Sequence, residues 1–300
     1  MSPWNDPAYP LERPFIVANQ THKCTHPSHT RQAYQDALRW GADFIDVGIV
    51  LTRDRVAICV DGPVMQDETD VETRFPARAR PDGNWYWTDF DLAEIKTLEK
   101  HGSDDSEPNR SAQPYLPYRV ATLQELIDTV QAEHYRRTIR RQYTLGHTPG
   151  PVGIMPTLLD HGSEAAAALS TQLHSNRYTL PELERLCIIH SADLTTIEYL
   201  ATQTEMRLLW NTKANPTDEQ LDSLRPGDGI AVHRQLIEDD AGNTTPLVQR
   251  ARVRGIAVFA YAFQDEQDAI ERFFHVHRVD GVFTNSPDAA RSAKGLRVIR

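Results

Sequence analysis

Eight short apolar runs of strand character punctuate the chain: "PFIVAN" (14–19), "DFIDVGIV" (43–50), "PVGIMPTL" (151–158), "RLCIIHS" (185–191), "MRLLWN" (206–211), "DGIAVH" (228–233), "IAVFAYA" (256–262) and "VDGVFTN" (279–285). Between most of them lie segments of helical character, among them "HTRQAYQDALRWG", "SEAAAALSTQL", "DLTTIEYLATQ", "TTPLVQRARVRG" and "DEQDAIERFFHVH". Strands that alternate with helices are parallel, and eight such units predict an α/β fold of the closed (β/α)8 TIM-barrel type. The near-continuous apolar character of the runs agrees, because parallel strands are buried on both faces. The whole chain, 1–300, reads as one barrel domain.

Two segments depart from the repeat. In "DFIDVGIVLTRDRVAICVD" the second run follows the first after only Thr52-Arg53-Asp54-Arg55, too short for a parallel crossover, so the two form an antiparallel hairpin arm. A turn centred between Arg53 and Asp54 sets Asp46 opposite Asp61 and Gly48 opposite Cys59. Two carboxylates so placed repel, and either a cation between them or a proton on one must offset the repulsion. Arg53-Asp54 is not the chemistry of a tight two-residue turn, and an odd-length loop would shift the register and undo this pairing. The second departure, residues 62–117, is charged and Pro-containing around one aromatic knot, "GNWYWTDF", and reads as an insertion capping the barrel. Trp85, Tyr86, Trp87 and Phe90 fit the insertion's own small core; as part of a lid, Trp87 would also face a ligand.

Active sites of such barrels lie at the C-terminal ends of the strands. The residues there are Asn19, Asp46, Thr157, His190, Asn211, His233, Tyr261 and Asn285, with Asp61 added by the hairpin. Asp46, Asp61, His190 and His233 are the catalytic candidates, since titratable groups gathered at one face mark sites; taken singly, each histidine also fits a core residue bonded to a carbonyl. Asn19, Gln20, Thr157, Asn211, Tyr261, Asn285 and Trp87 are the candidates for substrate binding. His22, His26 and His29 fall in the loop after the first strand, where histidines are usually solvated. Cys24, on the same loop, has no identified base.

A formal charge of −10 argues against nucleic acid. The one dense basic cluster, "RRTIRR" (136–141), reads as a solvated helix face. No stretch reaches the length of a membrane span, and the first residues lack the pattern of a signal peptide. Cys24, Cys59 and Cys187 are widely spaced, which fits reduced thiols in a cytoplasmic protein. The expected partner is a small molecule; oligomeric state is not legible.

"HPSHTRQAYQDALRWGADFIDVGIVLTRD" is similar to the Pro-Glu-x-Thr, helix, Gly-Ala-Asp, Glu-x-Asp, Thr-Lys-Asp signature of glycerophosphodiester phosphodiesterases. "ETDVETRFPARARPDGNWYWTDFDLAEIKTLE" resembles the insertion of the bacterial periplasmic type, and "YRVATLQELID" and "VDGVFTNSPDAA" resemble two later family segments. The resemblance spans about residues 14–293 and implies the same barrel. It also implies changed chemistry. Asn19-Gln20 stand at the family's His-Arg, Asp46-Val47-Gly48 at its metal-binding Glu-x-Asp, Asp61-Gly62 at its second catalytic His and following Asp, and Thr157 at a third metal-binding glutamate. The family's Mg²⁺ or Ca²⁺ site is therefore expected to be lost, with no cofactor in its place. Three functions follow in order: a repurposed, metal-independent acid/base enzyme for dehydration, isomerisation or cyclisation of a small molecule; a non-catalytic ligand-binding pseudoenzyme; and residual metal-dependent hydrolysis of glycerophosphodiesters.

Overall fold

The computed structural model describes residues 14–19, 26–101, 117–143, 152–159, 163–175, 186–263 and 266–295. Eight parallel strands close on themselves: β1 (Phe15–Ala18), β2 (Phe44–Leu51), β4 (Gly153–Leu158), β5 (Ile188–Ser191), β6 (Arg207–Thr212), β7 (Gly229–His233), β8 (Ala257–Phe263) and β9 (Gly281–Thr284). They hydrogen-bond in chain order, and β1 pairs with both β9 and β2, which shuts the barrel. β3 (Ala57–Val60) runs back along β2 as the hairpin arm. Helices follow the strands: α1 (Arg31–Arg39), α2 (Leu123–Tyr143), α3 (Ser163–Ser175), α4 (Leu194–Gln203), α5 (Asp218–Asp222), α6 (Pro246–Val253), α7 (Gln267–Arg272) and α8 (Pro287–Ala293). All eight expected strands are present.

Alternation along each strand sorts the core. Phe15, Val17, Phe44, Met155, Ile188, Leu209, Ala231, Ala257, Phe259 and Phe283 form one buried cluster filling the lumen. Their neighbours, among them Ile16, Ile45, Val47, Ile154, Ile189, Leu208, Ile230, Val258 and Val282, pack outward into the helical layer. Bulk inside needs relief nearby: a Cβ on Gly281 would lie 2.4 Å from the Phe259 ring. At the N-terminal rim one device recurs. Asp43, Asp228 and Asp280, each just ahead of a strand, accept from the backbone N–H of Ile16, Leu208 and Val258 on a neighbouring strand at 2.9, 3.0 and 2.9 Å. Each aspartate thus satisfies a donor that the strand's first turn would leave unpaired.

The hairpin register differs from the expected one. Gly48 lies opposite Val60 and Ile49 opposite Cys59, because the loop holds three residues, Arg53 to Arg55. Arg55 sits in the left-handed region at φ 65°, and Thr52 closes the loop through its N–H to the Val56 carbonyl at 3.0 Å. This is the odd-length connection in which a turn is followed by a left-handed residue. Counting on by one sets Asp61 level with Val47 rather than Asp46, and a one-residue slip exchanges the faces of a strand. The two aspartates are consequently not cross-strand partners.

The described part of the insertion packs on the hairpin's outer face. Met65, Val71, Trp85, Trp87, Phe90, Ile95, Leu98 and Val120 enclose Val50, Ile58 and Val60. Trp87 is fully buried there and donates its indole N–H to the Gly62 carbonyl at 2.9 Å, so it is a packing residue and does not face a ligand. "RRTIRR" also departs from expectation: Arg137 is buried and donates to the Leu38 carbonyl at 2.8 Å, tying α2 to the end of α1.

Candidate functional site

Each residue expected at the mouth follows a lumen-filling residue by two positions. Asn19, Asp46, Thr157, His190, Asn211, His233, Tyr261 and Asn285 stand above Val17, Phe44, Met155, Ile188, Leu209, Ala231, Phe259 and Phe283, one per barrel strand. With a period of two they share the inward phase, so the eight form a polar ring over an apolar floor. Gln20, His22 and Cys24 lie outside the described residues.

The ring divides into three arcs. Asn19 Nδ2 donates to Asn285 Oδ1 at 3.3 Å. The Tyr261 hydroxyl donates to the Thr212 carbonyl at 3.4 Å, and its ring meets His233 edge-on with centroids 5.6 Å apart. His233 Nδ1 accepts from the Gln235 N–H at 3.3 Å, an interaction that caps the turn after β7. The third arc carries the clearest chemistry. Thr157 Oγ1 lies 2.9 Å from Asp46 Oδ1 and 2.8 Å from His190 Nδ1, with the histidine nitrogen 3.7 Å from the carboxylate.

A threonine hydroxyl has one proton, and a carboxylate only accepts. Thr157 therefore donates to Asp46, and its oxygen accepts from Nδ1–H of His190. In neutral imidazole the proton on Nδ1 leaves a lone pair on Nε2. That Nε2 is buried and has no hydrogen-bond partner among the described residues; neither has the buried Oδ1 of Asn211 on the next strand. Phe283 flanks the imidazole with ring centroids 5.7 Å apart.

Asp61 belongs to a different assembly. His29 Nε2 lies 3.2 Å from its Oδ1, and the Ser28 hydroxyl donates to its Oδ2. His29 is thus no solvated loop residue: it is buried, in the left-handed region at φ 54°, beside the Tyr34 hydroxyl at 3.4 Å. Thr30, which follows it, caps α1 by accepting from the Ala33 N–H at 3.3 Å. Glu68 accepts from the backbone N–H of Asp61 and Gly62 at 2.8 and 3.0 Å, and its other oxygen pairs with Lys100. Burial works to raise the Asp61 carboxyl, but the charge and hydrogen bond of His29, the Lys100 charge and the Ser28 hydroxyl outweigh it. Asp61 is held far below the usual carboxylate range, so it is not the protonated member of an acid pair. Burial, with Cys59 and Asp61 adding to it, keeps the Tyr34 phenol protonated. His26, from the same loop, bridges Tyr118 at 3.1 Å and Asp36 at 3.3 Å. Cys59 and Cys187 are buried in the core with thiols pushed up to about 12 by burial.

The residues at the positions that the resemblance assigns to Mg²⁺ or Ca²⁺ do not fit a hard cation. A Cβ on Gly48 would stand 2.2 Å from the Val60 carbonyl oxygen and 2.9 Å from Leu159, so that position admits no side chain without movement of the hairpin. Thr157 supplies a hydroxyl already shared by Asp46 and His190. One carboxylate is a poor donor set for a cation that takes six or more oxygens.

A closed parallel barrel with a polar ring at the C-terminal mouth defines the class as a TIM barrel with its site on that face. The model of the glycerophosphoryl diester phosphodiesterase family matches residues 21–289, and the chain belongs to that family. A glycerophosphodiester phosphodiesterase of Haemophilus influenzae is 27% identical over 94% of this chain and 90% of its own. One of Arabidopsis thaliana is 32% identical over 95% of this chain and 87% of its own. Among solved structures, an Oleispira antarctica phosphodiesterase in complex with the product sn-glycerol-3-phosphate superposes with a TM-score of 0.67 at 18% identity, covering 94% of this chain and 97% of that one.

Proposed function

We propose that this barrel is a metal-independent acid/base enzyme acting on a small organic molecule at its mouth, a repurposed member of its family. The observation carrying this reading is the Thr157 hydroxyl set between Asp46 and His190. Asp46, acting through Thr157, orients the imidazole and balances the charge it gains; Nε2, buried and without a partner among the described residues, takes a proton from substrate. Returning that proton to another atom of the same molecule completes an isomerisation with one base. Holding a base in one tautomer by a carboxylate behind it is the logic of acid–base triads, and general-base catalysis typically contributes 10²–10⁴-fold. His29 and Asp61, 3.2 Å apart beside the ring, are a pair that positions the hairpin. ¹⁵N NMR of His190 tests this reading: the expected signal is an Nδ1-protonated imidazole with free Nε2, converted to a tautomer mixture in Thr157→Val. A proton on Nε2 in the unaltered protein would sink it.

The family relationship favours a second reading, hydrolysis of glycerophosphodiesters, the activity that the relatives' names carry. It requires either a hydrolysis that uses no metal or a cation seated away from Gly48. Release of glycerol 3-phosphate from glycerophosphodiesters, with and without divalent cation, separates the two.

A further inference from the structure

A cavity of about 730 Å³ opens on the flank of the barrel, between α1, α2 and the segment that leads out of the insertion. No residue of the mouth ring lines it, so it is separate from the site described above. Its volume falls within the range of small-molecule pockets, roughly 300–1,000 Å³. Among the described residues five cations line it, Arg31, Arg39, Lys96, Arg119 and Arg136, against three carboxylates, Glu125, Asp128 and Glu133. A local surplus of positive charge, on a chain whose formal charge is −10, is a place where anions collect.

Pairing sorts these charges. Lys96 donates to Glu125 at 2.6 Å and to the Val120 carbonyl at 2.8 Å, and Arg136 makes a forked pair with Glu133 at 2.6 and 2.8 Å. Arg39 reaches Asp36, three residues earlier on α1, at 3.2 Å. Arg119 is held in another way: its Nη1 donates to the carbonyls of Thr97 and Leu98 at 2.9 and 2.6 Å. Neutral acceptors thus fix the guanidinium and leave its charge uncompensated. With both Nη1 protons used, the N–H groups of Nε and Nη2 remain, the edge that takes both oxygens of a carboxylate or phosphate. Arg31, on the α1 wall, is exposed and has no partner among the described residues. It stands in the first turn of α1, which holds no acidic residue and where the helix dipole disfavours a cation. Of the carboxylates only Asp128, bonded to the Gln124 amide at 2.7 Å, is left without a cation, so two unanswered guanidiniums face one unanswered acid. Leu38, Val120 and Ala121 give the cavity apolar wall, which suits an organic body better than a bare ion. We infer that this flank cavity is a second binding site, for a small organic anion whose carboxylate or phosphate group docks on the free edge of Arg119 in the field of Arg31.

The test is ¹⁵N NMR of the arginine Nε–H signals of the full chain, titrated with benzoate and with phenyl phosphate, and with benzyl alcohol as the uncharged control. The expected result is a saturable shift of the Arg119 signal with at least one anion at millimolar concentration and none with benzyl alcohol; the tighter anion names the head group. Calorimetric titration of variants then locates the contact. Arg119→Gln, which removes two charge-assisted hydrogen bonds, should weaken binding about tenfold or more. Arg31→Gln, which has no bond to lose and folds as the parent does, should weaken it several-fold, with a smaller dependence on salt. Thr157→Val, altered only at the mouth, should bind the anion as the parent does. An Arg119 signal that moves with neither anion, or equally with benzyl alcohol, overturns the inference. So does an affinity unchanged in Arg31→Gln or in folded Arg119→Gln, or one lost in Thr157→Val, which would put the anion at the mouth.

Discussion

Lys100 and Glu68 form an ion pair with side chains 0% and 1% exposed, and removing one partner strands the other in the insertion's interior. Truncating Lys100→Met leaves a buried glutamate uncompensated, an effect of about 3–5 kcal/mol. Unfolding entropy of about 2.1 cal/mol/K per residue converts this to a fall in Tm of roughly 5–8 °C. The double variant Lys100→Met/Glu68→Gln is the sharper probe. Its amide oxygen still accepts from the backbone of Asp61 and Gly62, now at 2.8 and 3.0 Å from Glu68, and no charge is stranded. What is lost is the charge assistance on two hydrogen bonds, about 1 kcal/mol each, so the double variant should lose about 2 kcal/mol, less than the single. Thermal and urea unfolding of the two single variants and the double one measure this directly. A Lys100→Met variant within about 1 kcal/mol of the parent, or a double variant no more stable than that single, would refute the claim that this pair holds the hairpin's end.

Thr157→Val should cost about 1–3 kcal/mol, since the buried His190 and the partly buried Asp46 lose their shared partner to an isosteric methyl, read by chemical denaturation. Gly48→Ala should destabilise by about 1–3 kcal/mol or more, because its Cβ meets the Val60 carbonyl 2.2 Å away; Gly48→Asp should lower Tm further and create no metal-dependent activity. The Asp61 carboxyl is lowered in the folded state, so its contribution is full above the unfolded value near 4 and is lost as pH falls through the folded one. Asp61→Asn should accordingly lower stability at neutral pH and flatten its decline below about pH 4, seen in urea midpoints across pH.

The barrel was legible because eight buried parallel strands write themselves as eight apolar runs, and the period of two carried the reading up to each mouth residue. The hairpin register was not, because a three-residue loop closed by a left-handed arginine looks in sequence like a two- or four-residue one. Assigning Asp46 and Asp61 to one carboxylate pair failed for that reason alone. His29 was passed over because a loop histidine gives no sign of burial; the signal available was its place just ahead of Thr30, where the chain must turn in to start α1. Arg137, an arginine expected in water, is packed inside, whereas Trp87 lies in the insertion's small core, the first of the two places its sequence allowed. Lys100 and Glu68, thirty-two positions apart in a charged stretch, carry no sequence mark of their pairing.

Release of glycerol 3-phosphate from a panel of glycerophosphodiesters, with Mg²⁺, with Ca²⁺ and with chelator, alongside an active family member, bears most directly on whether this mouth runs metal-free proton transfer. The expected result is no release under any condition while the control turns over. Metal-dependent release, abolished by chelator, would contradict it and send the search for a cation back to Asp46, Asp61 and the loop that carries His29.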